Sequence, residues 1–443
     1  MAFSQKAVDY ACRDADATLR LYHALYPRLE AEGLLHAYRV CMDTMPLILA
    51  MERTGWRIDI PHFEGLLADF AQDITGIQAD IDRMGFSGLN ALSGHQVGYA
   101  LFDELGLTPP ALTKKTKKPS TEDKHLQSLL AEHPVVGKIC DMREVVKLVA
   151  IINDILANTH DGHLRPRLNM VGTPTGRLSC RSPNLLAIPK HSDRGKKIRV
   201  GFLPPKGMEL WSWDLSQVEL RVLALESKDP TLVEVFNDPK GDLHAATAER
   251  IFGVKPEHQD KSAHRLPAKA VNFGIPMGIS DMGLMQQLHK NEGMLHLTRS
   301  DCAQWLEDWH TKAYPQASAW LATQVQQTAS RGYVECLGGR RRYLPGVAAK
   351  SRGVKSRAIR QCQSFPMQAG AQYLMHLWEA AVYREVVVPG LAVPILQIHD
   401  DLTMAGFPEA YDDVDALMRG LLPQGYVVPI LASGDRGATW GDF

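Results

Sequence analysis

Two apolar runs near the C-terminus, LAVPILQI and LTMAGF, are separated only by His399, Asp400 and Asp401. So short a polar interval leaves room for a tight reversal and little else, so the runs read as a hairpin with an acidic turn. Far upstream, the apolar strand MELWSW ends on Asp214 and gives way at once to the helical pattern QVELRVLALE. The chain therefore sets aspartates at strand ends in two distant places. Taken singly, such aspartates are ordinary turn or cap residues. Together they also meet a chemical requirement. Joining nucleotides by in-line phosphoryl transfer needs hard carboxylate oxygens on a rigid support. These would hold two Mg²⁺ ions about 3.5–4 Å apart, with sites left for water and phosphate.

At 443 residues the chain is long enough for two to four subdomains. Apolar periodicity predicts helices over 10–32 and 37–53, the second stopped by Gly55. It predicts two more over 90–106 and 124–158, forming a helical hairpin whose tip is the lysine-rich loop LTKKTKKPST. From His163 the texture turns to short strand-like pieces, LRPRLNMV and 208–213, followed by a helical block from Gln217 to about Ser330. No apolar run is long enough for a bilayer, and the first residues carry charges where a secretory signal needs an apolar stretch. Seven scattered cysteines without a CxxC pair favour reduced thiols, and a cytoplasmic location is expected.

The net charge is only −1, yet the cations are unevenly spread. No acidic residue occurs between Leu337 and Trp378, a stretch that holds Arg340, Arg341, Arg342, Lys350, Arg352, Lys355, Arg357 and Arg360. Further clusters are Lys190, Arg194, Lys196, Lys197, Arg199 and Lys114, Lys115, Lys117, Lys118. Each alone reads as a solvated face; three on a neutral chain tilt towards a polyanionic partner.

Four segments in order carry a more specific signal: TGRLSCRSPNLLAIP, WDLSQVELRVLA, RLPAKAVNFGIPMG and LQIHDDL. They resemble the signatures of family A DNA polymerases, the bacterial DNA polymerase I type, and the likeness extends from about residue 8 to 443. The resemblance implies an α+β, right-hand fold with an antiparallel-sheet palm, helical fingers and a helical thumb. Residues 1–32 would be the end of an exonuclease-like domain and 33–160 the connecting helices and thumb. Residues 161–225 and 346–443 would form the palm, and 226–345 the fingers. It implies a DNA polymerase that adds dNTPs to a primer–template and works as a monomer, away from membranes, with two Mg²⁺ ions or Mn²⁺ in their place.

By the same resemblance, Asp214, Asp400, Asp401 and the Leu215 carbonyl hold metal. Lys269 is catalytic and, with Arg265, binds phosphates. Gln217, Glu219, His244, Phe273 and Met277 line the nucleotide site, and Arg177, Arg360, Gln368 and His399 meet DNA. Glu219 would exclude a ribose 2′-hydroxyl, and Phe273 implies discrimination against dideoxynucleotides. Spacing by four puts Arg265, Lys269, Phe273 and Met277 on one helix face, although Pro276 should end or kink that helix.

The chain departs from the family pattern in places. Met277 stands where Tyr is usual, Leu215 for Tyr, Asp401 for Glu, Leu186 and Ala187 for a polar pair, and Ser364 for Asn. YACRDADATLRL resembles the last motif of the family's 3′–5′ exonuclease, with Tyr10 and Asp14 in the matching places and no upstream carboxylate motifs, so no proofreading is expected. Two other readings stay open: a single-subunit RNA polymerase, and a non-catalytic primer–template binder.

Overall fold

The computed structural model describes residues 4–113, 116–190 and 192–443. Its first helix, α1 (Gln5–Ala31), starts at Ser4, whose hydroxyl accepts from the Ala7 N–H, and buries none of its residues. Helix α2 (Leu35–Thr54) does bury a face, through Leu47, Ile48 and Met51. It stops at Gly55, where φ is 63° and an added Cβ would lie 2.6 Å from the Leu164 carbonyl oxygen. Only glycine fits there. The buried face of α2 shares a core with Trp211, Trp213 and Leu374, so this helix packs with elements expected in the palm.

Beyond Gly55, α3 (Ile60–Arg83) packs along α4 (Pro134–Ala157). Phe63, Leu66, Phe70, Ile77 and Ile81, three to seven residues apart, give α3 one apolar face. Lys138 of α4 meets Asp80 of α3 at 2.6 Å. This pairing corrects the expected hairpin of 90–106 against 124–158. The first of those segments is only a short helix, Gly94–Gly98, running into a widened turn, Tyr99–Glu104. The second is broken after Leu129, and a new helix begins with Pro134 at its first position, where a missing N–H costs nothing. Of the expected tip, Lys114 and Lys115 lie outside the described residues. Lys117 and Lys118 follow in a loop braced by a bridge between Leu112 and Pro119.

A small antiparallel sheet follows, with Trp56–Ile58 between His163–Leu164 and Phe202–Leu203. Trp56, Phe63, Phe202 and Trp440 cluster around it with centroids 5.1–5.5 Å apart, Phe202 meeting the other three edge-on and Trp56 lying tilted to Trp440.

The larger sheet is wholly antiparallel. Its strands are β1 (Glu209–Leu215), β2 (Val393–Ile398), β3 (Asp401–Gly406) and β4 (Ala432–Gly437), in the order β2-β3-β1-β4. Alternation sends Trp211, Trp213 and Leu215 to one face and Leu210, Ser212 and Asp214 to the other. The first face is covered by α5 (Val218–Ser227) and α10 (Tyr411–Gly420), whose buried residues share its core. The 31-residue helix α9 (Arg352–Val382) packs on both α2 and α5. The remaining helical block includes α6 (Leu243–Phe252), α7 (Leu266–Gly274) and α8 (Pro315–Arg331). The whole is the expected α+β combination of helices and antiparallel sheet. Among the described residues, no helix is long and apolar enough to cross a membrane.

Candidate active site

The site begins where β1 and β3 face each other. Asp214 lies directly opposite Asp401, and on its other side faces Ser433 of β4. The hairpin turn holds His399 at φ 56°, a left-handed conformation that turns the chain sharply. Gln397 Nε2 donates to the His399 carbonyl at 2.7 Å, and the Leu215 N–H donates to the Asp400 carbonyl at 2.9 Å. These bonds fix the Asp400 segment against the end of β1. Gln217, also left-handed at φ 52°, then starts α5.

The carboxylates are not equivalent. Ser212 Oγ donates to Asp401 Oδ2 at 2.5 Å and Thr403 Oγ1 to Oδ1 at 3.1 Å, so both Asp401 oxygens are engaged by strand neighbours. Burial raises its pKa above the ordinary carboxylate value. Asp214 is half-buried, and its pKa is pushed up to about 7, first by burial and then by Asp400 and Asp401. Asp435 adds to the repulsion and Lys190 offsets it. A carboxyl crowded by like charges in partial burial is stabilised by a cation. Hard oxygen donors on a fixed sheet fit a divalent ion that keeps water and phosphate among its ligands. Among the described residues no group of three or more His, Cys, Asp or Glu forms a fuller metal cage.

Glu219 sits in the first turn of α5 and pairs with Arg177 through Arg177 Nη2. Burial raises the Glu219 pKa, Arg177 opposes that, and Asp400 adds to it. His399 is coupled to the same two groups: burial lowers its pKa, Arg177 lowers it further and Asp400 raises it. Arg177, Glu219, His399, Asp400 and Asp214 thus form one electrostatic group.

A second group lies on α6 and α7. Arg265 is held by Asp242 through its Nε at 2.8 Å and Nη2 at 2.7 Å. Asp242 also caps α6 by accepting from the His244 and Ala245 N–H groups. Lys269 is exposed on α7, and the half-buried Phe273 ring lies 5.7 Å from that of His244. Burial drives the His244 pKa down to about 4, so the ring is neutral at neutral pH.

The expected common face of Arg265, Lys269, Phe273 and Met277 needs correcting. Arg265 closes a wider turn, Lys261–Arg265, and only Lys269 and Phe273 belong to α7. The helix ends at Gly274 because Pro276 has no N–H to offer the Asn272 carbonyl. Met277 therefore lies past the helix, where its Sδ accepts from Gln368 Nε2 at 3.2 Å. Met277, Phe273 and Arg360 line an open cleft of about 520 Å³. Gly278, at φ +70°, allows Arg360 to pass: a Cβ there would lie 2.6 Å from Arg360 Cγ.

Sequence reasoning did not single out Asp242, Lys190 or Asp435 as site residues. Asp242 follows Gly241 and precedes an apolar-periodic run, a cap signal that could have found it.

The family model for DNA polymerase family A matches residues 61–442. A thermostable DNA polymerase I from Thermus aquaticus is 35% identical over 428 residues, covering 95% of this chain and 50% of that protein. DNA polymerase I of Chloroflexus aurantiacus is 34% identical over 451 residues, covering 99% and 47% respectively. Among solved structures, the POL domain of Pol1 from M. smegmatis, in complex with DNA primer-template and dNTP, superposes with a TM-score of 0.89 at 28% identity. That match covers 96% of this chain and 75% of the other. The chain spans about half the length of the curated relatives it matches.

Proposed function

This chain belongs to DNA polymerase family A, and on that premise we propose that it extends a primer 3′-hydroxyl with deoxynucleotides chosen by a template. The observation that carries this reading is the pairing of Asp214 with the Asp400 turn, where burial and then the neighbouring Asp400 and Asp401 lift Asp214 to about 7 beside the Arg177–Glu219 pair. The palm is assigned to 161–225 and 346–443, the fingers to 226–345 and the thumb to the α3–α4 pair.

Asp214, Asp400 and the Leu215 carbonyl would hold two Mg²⁺ ions, or Mn²⁺, and bound there such ions supply Lewis-acid stabilisation to the attacking and leaving oxygens. Asp401 acts from behind, its oxygens committed to Ser212 and Thr403 and its charge directed at Asp214. Lys269, exposed on α7, neutralises triphosphate charge. Arg265 exchanges Asp242 for phosphate oxygens, and a forked guanidinium suits either partner. Phe273 packs on the nucleotide. Glu219, anchored by Arg177, fills the space of a 2′-hydroxyl and so selects deoxyribose. Arg177 has further N–H groups for the minor-groove acceptors that every correct pair presents. Arg360, Gln368, Gln217 and His399 complete the walls facing primer, template and nucleotide.

Extension of a labelled primer on a template, with Mg²⁺ and four dNTPs, tests the reading in wild type, Asp214→Ala and Asp400→Ala. Extension by wild type alone is expected. Extension by Asp400→Ala at the wild-type rate refutes the site. Equal rates with rNTPs would move the chain to RNA synthesis, and salt-sensitive DNA binding without extension would make it a binding protein.

A further inference from the structure

The buried side of His244 carries a hydrogen-bond network that decides which ring nitrogen bears the proton. Asn272, on α7 and 1% exposed, touches three groups. Trp309 Nε1 lies 3.0 Å from its Oδ1, Thr247 Oγ1 lies 2.8 Å from its Nδ2, and His244 Nδ1 lies 3.1 Å from its Nδ2.

An indole N–H can only donate, so the amide oxygen must face Trp309. The amide nitrogen then faces Thr247 and His244, one hydrogen for each. Thr247 can receive it, because its own hydroxyl donates to the Leu243 carbonyl at 2.7 Å and it can accept from Tyr314, whose hydroxyl is 2.6 Å away. Thr247 Oγ1 also lies 3.1 Å from Asn272 Oδ1, a second acceptor for its hydroxyl, but either choice keeps the amide nitrogen, and so a donor, facing His244. His244 Nδ1 is left as an acceptor, and a neutral imidazole with a bare Nδ1 carries its proton on Nε2.

We propose that Asn272, itself oriented by Trp309, is a positioning residue that locks His244 as the Nε2–H tautomer, so that a neutral ring presents a donor to a phosphate oxygen of the incoming nucleotide. The nucleotide half of this proposal rests on the polymerase reading; the tautomer half does not. The charged groups coupled to the ring are Asp242 on its own helix, Arg265 on the preceding turn and Lys269 on α7. Burial and the two cations favour the neutral ring against Asp242, in keeping with a pKa of about 4. An imidazolium would also place a proton on Nδ1, where Asn272 already presents one.

The test uses the full chain with ¹⁵N-labelled histidine and long-range ¹H–¹⁵N correlation, His244 being assigned by its loss in His244→Gln. Wild type should show a protonated Nε2 and a bare Nδ1 at every pH above about 5. Asn272→Asp replaces the donor by an acceptor and should move the proton to Nδ1. Its KM for dNTP should then rise roughly ten-fold above neutral pH, with kcat changed less, and recover towards low pH as the imidazolium restores an Nε2–H. Trp309→Phe releases the amide and should give a mixture of tautomers.

An Nδ1–H pattern in wild type overturns the lock, whether or not the variants fold. A KM increase in Asn272→Asp that is equal at every pH overturns it as well, because that is what structural damage alone would give. If the tautomer is as stated but His244→Ala leaves the dNTP KM unchanged, the nucleotide contact fails and the proposal with it, while Asp214-dependent extension still stands.

Discussion

Burial of the Asp214 carboxylate, with Asp400 and Asp401 close by, costs stability, and removing its charge should return part of that cost. Its pKa of about 7 against an ordinary 3.8 means the folded chain holds the proton more tightly than the unfolded chain. The contribution of this one carboxyl to stability is therefore greatest below about 3.8 and falls as pH rises to about 7, after which it is level. The full shift corresponds to at most about 4 kcal/mol, and partial exposure of the carboxyl to water reduces this to about 1–2 kcal/mol. Asp214→Asn keeps the shape and removes the charge. In metal-free buffer near pH 8 the variant should unfold about 1–2 kcal/mol harder than wild type, a rise in Tm of a few degrees. The gain should shrink to about a third near pH 5, where the folded wild type already carries the proton. Mg²⁺ should stabilise wild type more than the variant, because it offsets the same repulsion by binding the folded state. Urea or thermal melts with chelator at both pH values measure this. A variant no more stable than wild type at the higher pH, or a gap that does not change with pH, refutes the electrostatic account.

Other outcomes follow from the same geometry. Glu219→Ala should lower discrimination between dNTPs and rNTPs by about 10²-fold in competitive single-nucleotide incorporation, since a pocket rejects an added hydroxyl only by about that factor. Lys269→Ala should reduce kcat for extension by about 10²–10³ without altering the melting curve, because the side chain is exposed and is needed only when triphosphate charge develops. Glu379 on α9 is 0% exposed, and neither carboxyl oxygen has a hydrogen-bond partner among the described residues. Burial drives its pKa well above 4.5, which favours the neutral acid in the core. Glu379→Leu should raise the unfolding free energy by about 1–3 kcal/mol, with the gain growing as pH rises and ionisation is favoured in the unfolded chain.

What the sequence made legible was local in origin. Asp214 at the end of β1 and the Asp400 turn could be read because an apolar run followed at once by carboxylates has few ways to fold. The stop before Met277 could be read because proline lacks the N–H that the next turn needs. The pairing of α3 with α4 could not, since it is a choice among apolar helices far apart in the chain. Strand β4, ASGDRG, has no apolar alternation and exists because β1 offers it a free edge. The commitments of the site residues were equally out of reach. Asp401 is occupied by a serine 189 residues away, Arg265 by an aspartate 23 residues away, and Asn272 by a tryptophan 37 residues away. A motif says which side chains can donate or accept. Once the sheet and helices have used some of those capacities internally, what is left over faces the substrate. At Asp401 each oxygen already has a strand neighbour, at Arg265 the forked N–H groups await exchange, and at His244 one N–H remains, so the same list of polar residues acquires three different roles from packing alone.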